Sequence, residues 1–134
     1  MTVTRSETLP IRSGDDVVRV RQRVRTLAVE IGLGLVDQTK IITAASELAR
    51  NTLDYGGGGD VRAEVVQSGM RKGLRLTFED QGPGIADIEQ ALTDHYTSGG
   101  GLGLGLGGAR RLSNEFHIAS TPGVGTRVMI ARWK

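Results

Sequence analysis

Apolar residues recur along this chain with two periods, one of two residues and one of three to four, and glycine-rich breaks separate the stretches. Leu9 and Ile11 share one side of an extended run from Val3 to Ile11 that stops at Ser13-Gly14, predicting a first strand. Val17, Val20, Val24, Leu27, Ala28 and Ile31 then recur at helical spacing as far as Gly32. This predicts an amphipathic helix that Asp15 or Asp16 can cap. A second helix has Ile41, Ala45, Leu48 and Leu53 on its apolar face, Asp37 as its candidate cap, and the glycines at 56–59 as its stop.

Beyond those glycines the period shortens. Val61–Val66 and Leu74–Phe78 are alternating or β-branched and flank the polar turn from Ser68 to Gly73, which predicts a hairpin. Asp87–Leu92 reads as a short helix, and Ala109–Glu115 as a helix leaving a glycine cluster. Phe116–Ser120 and Thr126–Trp133, separated by Thr121-Pro122-Gly123-Val124-Gly125, predict a second hairpin. Strands and helices come in pairs instead of alternating. The expected class is therefore α+β, a two-layer α/β sandwich with helices on one face, rather than a doubly wound fold.

Composition narrows the function classes. A chain of 134 residues, 38% hydrophobic and 24% charged, suits a single domain over 1–134. Seventeen basic against fifteen acidic residues leave a net charge of +2 with no dense basic run, so nucleic acid is not the expected partner. The absence of cysteine excludes disulfides and thiolate metal sites and suits a reducing, cytoplasmic setting. No stretch approaches the roughly 20 apolar residues of a membrane span, nor does the N-terminus read as a signal peptide, so no membrane role is expected.

Three features carry candidate chemistry. Glu47 and Asn51 are four apart on the second helix, which places a carboxylate and an amide oxygen on one face. A hard cation such as Mg²⁺ needs few protein oxygens, and the adjacent Glu can take a proton from an attacking hydroxyl. An ordinary exposed polar pair has the same spacing. Asp80-Gln81-Gly82-Pro83-Gly84-Ile85 follows a strand. There a carboxylate can accept from an exocyclic amino group such as adenine's, with glycines letting a flat ring approach; a plain Gly-Pro-Gly turn is the alternative. Gly99–Gly108 alternates Gly with Leu through Gly101-Leu102-Gly103-Leu104-Gly105 and leads into a helix. Such a loop can wrap polyphosphate through backbone N–H groups, although it lacks the Gly-Lys-Ser/Thr ending of a Walker loop. A flexible loop with core leucines is the competing reading.

In this order the motifs resemble those of the GHKL, or Bergerat-fold, ATPases. Ser46-Glu47-Leu48-Ala49-Arg50-Asn51 resembles the N-box, Asp80-Gln81-Gly82-Pro83-Gly84 the Asp-x-Gly-x-Gly box, Gly101–Gly105 the second glycine box, and Gly125-Thr126 the terminal Gly-Thr. The resemblance implies a mixed sheet of Bergerat type and binding of ATP with Mg²⁺. Asn51 would hold the metal, Glu47 would be the general base, Asp80 would bind the adenine amino group and Thr126 would assist it. Gly82, Gly84, Ile85, Gly101, Leu102, Gly103, Leu104 and Gly105 would shape the nucleotide pocket and its lid.

Within that superfamily nearly the whole chain resembles the anti-sigma regulatory kinases, in particular the switch kinases of RsbT type. The stretches Thr43–Asn51 and Glu79–Ile85 are especially similar. This resemblance implies a serine/threonine protein kinase of a bacterial stress-response partner-switching module, or stressosome. Its substrate would be a STAS-domain antagonist, and its second partner a downstream effector such as a phosphatase. Asp54 stands where many members carry Lys or Arg, and no Lys or Arg lies between Gly84 and Gly101. Phosphate charge would then fall to Mg²⁺, backbone N–H groups and Arg110 or Arg111. A non-catalytic, nucleotide-gated binding module of anti-sigma type is the rival function.

Other conspicuous residues read more plainly. His95 is expected on the lid surface, His117 as a partly buried edge residue, Trp133 as packing the last strand against a helix, and Arg19, Arg21, Arg23 and Arg25 as mostly solvated.

Overall fold

Residues 1–93 and 105–134 are described by a computed structural model, and their elements follow the expected order. These are β1 (Thr2–Ile11), α1 (Gly14–Glu30), α2 (Leu35–Asp54), β2 (Gly59–Ser68), β3 (Arg71–Asp80), α3 (Ile88–Ala91), α4 (Gly105–Arg111), β4 (Glu115–Thr121) and β5 (Gly125–Trp133). The strands form one sheet in the order β1-β2-β3-β5-β4. The α+β class is as expected, but every pairing is antiparallel where a mixed sheet was anticipated. The connections explain this. α1 and α2 run out and back as a pair, so the chain re-enters the sheet at the end it left, with Gly59 facing Ile11.

Period-two alternation buries one face of the sheet. Val61 and Ala63 on β2, Leu74, Leu76 and Phe78 on β3, and Val128 and Ile130 on β5 pack into one core with Val20, Val24 and Leu27 of α1 and Ile41, Ala45 and Leu48 of α2. The other face carries charged pairs across neighbouring strands, Arg75–Glu64 at 3.0 Å and Arg127–Glu79 at 3.1 Å. Among the described residues no helix is long and apolar enough to cross a membrane.

Several local expectations are corrected. Ser13, not an aspartate, caps α1. Asp16 instead accepts from the Arg12 N–H at 2.9 Å and pairs with Arg19 at 2.6 Å. α2 begins at Leu35 behind Gly34 without a side-chain cap, because Asp37 is drawn to Arg132 of β5 at 2.7 Å. α4 lies four residues earlier than its predicted start. Its Leu106, Gly107, Gly108 and Ala109 are buried, and this small-residue face packs against α2, overriding the weak helix propensity of glycine. His117 is exposed on the edge strand β4, and His95 lies outside the described residues. Of the four arginines on α1, Arg19 and Arg23 are engaged, with Asp16 and Glu7, while Arg21 and Arg25 are solvated. The Glu7 carboxylate raises the Arg23 pKa further above its already high ordinary value.

Trp133 does not pack against a helix. Its partner across the β3–β5 ladder is Gly73, and the indole lies on that glycine, where an added Cβ would come within 2.7 Å of the ring. The ring N–H donates to Glu115 at 2.6 Å. The reason is the neighbouring Arg132, whose guanidinium occupies the helix side of the sheet and turns the next residue to the opposite face.

Candidate functional site

The last two turns of α2 carry Glu47 and Asn51, both half-buried. Four helical steps rotate them by only about 40°, so they share a face. The helix closes on Asn51, whose carbonyl accepts N–H groups from Tyr55 at 3.0 Å and Gly56 at 3.2 Å. The next turn brings the backbone against the sheet. A Cβ on Gly56 would stand 2.4 Å from Cγ and 2.5 Å from Oδ2 of Asp80, so the glycine is the space that the Asp80 carboxylate fills. Two separated sequence motifs thus meet at the C-terminal end of α2.

Asp80 is the last residue of β3 and is flanked in register by Gly59 of β2 and Thr126 of β5. Its Oδ1 accepts the Gly82 N–H at 2.9 Å, which fixes the carboxylate. Its Oδ2 takes no hydrogen bond among the described residues and keeps its lone pairs for another donor. Gly82 in turn lies on Gly56, where a Cβ would be 2.7 Å from Gly56 Cα. Gly84 has φ +75° and lies so near the Thr121 carbonyl that a Cβ would sit 2.5 Å from it. An L side chain is excluded there on both counts.

Ser120 ties this end of the sheet together and was missed by the sequence reading. Its Oγ accepts the Ile85 N–H at 2.7 Å, and lies 2.9 Å from Thr126 Oγ1 and 3.2 Å from the Gly125 carbonyl. If its one proton goes to the carbonyl, the same oxygen accepts from both Ile85 and Thr126, and every group is satisfied. The available signal was pairing: the Thr121–Gly125 turn places Ser120 directly opposite Thr126. Ser120→Ala is expected to cost about 1–2 kcal/mol by orphaning the Ile85 N–H. Thermal unfolding should show a midpoint lower by roughly 4–10 °C, and an unchanged midpoint would remove Ser120 from this role.

Gly105 opens α4, which packs on α2, and Arg110 and Arg111 are exposed at its other end. Gly101, Leu102, Gly103 and Leu104 lie outside the described residues. Asp54 is exposed at the end of α2.

These residues fit the groups implied by the sequence. Among the described residues no cluster of three or more His, Cys, Asp or Glu side chains could hold a metal alone. A single Asn beside a Glu suits Mg²⁺, which keeps water and phosphate oxygens for most of its positions. The fixed carboxylate of Asp80, set in a cradle that a Cβ on Gly56 would fill, suits the edge of a flat amino-bearing ring.

The chain belongs to the family of histidine kinase-, DNA gyrase B- and HSP90-like ATPases, which residues 36–134 match. A particular relative is the Serine/threonine-protein kinase RsbT of Bacillus subtilis, 47% identical over 118 residues that span 88% of this chain and 89% of that one. The chain is also 31% identical over 99 residues to an Anti-sigma F factor of Clostridium novyi, covering 70% of this chain and 69% of the relative. In fold it is similar to a crystal structure of RsbU and RsbW domains from Mycobacterium tuberculosis, with TM-score 0.67 and 20% identity. The match covers 96% of this chain and 32% of that longer one. The resemblance read from the motifs is borne out, as is the expected enzyme class of serine/threonine protein kinase.

Proposed function

We propose that this chain is a cytoplasmic, Mg-ATP-dependent serine/threonine kinase of a partner-switching module, which phosphorylates a STAS-domain antagonist and then binds a downstream effector such as a phosphatase. The observation that carries the reading is the meeting of the Glu47/Asn51 helix end with the Asp80 carboxylate through Gly56 and Gly82. This sets a candidate proton acceptor and a candidate recognition carboxylate on adjoining segments in a member of an ATPase family.

In this reading Asp80 Oδ2 accepts from the adenine amino group, while Thr126, held by Ser120, supports that edge from β5. Asn51 would hold Mg²⁺, which when bound neutralises phosphate charge. Glu47 takes the proton of the acceptor hydroxyl. The hydroxyl oxygen forms its bond to the γ-phosphorus as the bond to the β–γ bridging oxygen breaks, and ADP leaves with that electron pair. Backbone N–H groups of Gly101–Gly105 and the side chain of Arg110 or Arg111 complete the neutralisation.

The rival reading, a nucleotide-gated binding module, is favoured by the likeness to an Anti-sigma F factor. Incubation of the chain with radiolabelled Mg-ATP and a STAS-domain protein separates the two. Label on the partner is the expected outcome. Association that depends on ATP but leaves no label would sink the kinase reading in favour of the binding module.

A further inference from the structure

A second groove lies at the other end of the sheet. It has a volume of about 440 Å³ and is lined by Ser68, Arg71, Asn114, Glu115 and Trp133. Gly73, beneath the indole, and Asp80 are seven residues apart on β3, which at about 3.3 Å per residue separates the groove from the nucleotide edge by about 23 Å.

The chemistry of the groove is one-sided. The Arg71 guanidinium stacks on Trp133, 5.4 Å from the ring centroid, and among the described residues it makes no hydrogen bond or ion pair. A planar fork held on an aromatic face with its N–H donors uncommitted is organised for bidentate contact with a carboxylate. Asn114 spends its Oδ1 on the Trp133 N–H at 2.7 Å, which leaves its amide donors available. The one carboxylate of the lining, Glu115, accepts the indole N–H on Oε2 at 2.6 Å and keeps its negative charge. Met70, at the hairpin tip beside Arg71, is 99% exposed. Trp, Arg and Met are the residues that interface cores favour.

We propose that this groove is a second protein-docking site, taking an acidic segment with an adjoining apolar side chain from a partner other than the phosphoacceptor. It deepens the partner-switching reading and rests on it for the distinction between partners. The phosphoacceptor must bring its hydroxyl to Glu47 on the helix-covered side of the sheet, whereas the indole and Arg71 lie on the other face, which leaves the groove to a different partner.

Trp133 is the only tryptophan, so its emission reports on the groove directly. The probe is a short Leu-Asp-Ser repeat peptide, compared with its Leu-Asn-Ser counterpart, titrated with and without saturating Mg-ATP. Saturable change with the Asp peptide is expected, equal in both conditions. Arg71→Gln should weaken it about tenfold or more, and Glu115→Gln should tighten it by removing the repelling charge. Label transfer to a STAS-domain protein should stay unchanged in Arg71→Gln. No saturable change, equal binding of the Asn peptide, or an Arg71→Gln protein that binds as wild type would each overturn the proposal. Absence of label from the wild type as well would count against the kinase reading, and the fluorescence result would still decide the groove.

Discussion

Glu47→Ala is expected to lower phosphoryl transfer to the partner by roughly 10²–10⁴-fold, the usual contribution of a positioned general base, while nucleotide affinity changes little. A group that acts on the proton in the transition state affects turnover and not ground-state binding. Stability supports the design of this test. Glu47 makes no hydrogen bond or ion pair among the described residues, and alanine is the better helix former, so the fold should be unchanged within about 0.5 kcal/mol. A half-buried carboxylate without a structural partner among the described residues is free to accept a proton from a bound hydroxyl. Single-turnover label transfer and a nucleotide titration on the same preparation provide the check. Transfer at the normal rate would remove Glu47 as base. Loss of nucleotide binding together with transfer would make it part of the pocket instead.

The fold and the site were not equally legible in the sequence. Glu47, Asn51, Asp80 and the glycines beside it sit in short contiguous stretches, so their types and spacing are visible without the fold. The element order was visible for the same reason: Val20, Val24 and Leu27 on α1 and Leu74, Leu76 and Phe78 on β3 differ in period. What stayed hidden depends on pairing. Ser120 becomes a site residue only when the register sets it opposite Thr126 and the chain brings Ile85 alongside. Trp133 and Arg132 illustrate the limit from the other side. Hydrophobicity favours the tryptophan inside, yet Arg132 takes the helix side because Asp37 and the Leu112 carbonyl satisfy its guanidinium. Strand alternation then sends the indole outward. The two caps failed similarly, since Asp16 and Asp37 are committed to arginines and unavailable to the helix ends.

Gly56→Ala is expected to reduce ATP affinity about tenfold or more, acting through its contact with Asp80. The new Cβ would stand 2.4 Å from Asp80 Cγ, inside any allowed contact. The carboxylate cannot simply swing away, because Oδ1 is bound to the Gly82 N–H and Gly82 itself lies on the Gly56 backbone. Either Asp80 turns and loses the orientation proposed for adenine recognition, or the α2–β2 connection lifts from the sheet and carries the helix end with it. Losing one hydrogen bond to a charged group costs about 1.5–3 kcal/mol, and tenfold in affinity corresponds to about 1.4 kcal/mol. Gly57 supplies the control. It has φ +74° but nothing within 4 Å of a Cβ, so Gly57→Ala carries backbone strain of about 1–2 kcal/mol without touching Asp80. Both variants should unfold at lower temperature than wild type, and only Gly56→Ala should lose nucleotide binding. Equal loss in both would show that the loop as a whole, and not the Gly56–Asp80 contact, shapes the pocket; normal affinity in Gly56→Ala would show that Asp80 is not the recognition edge.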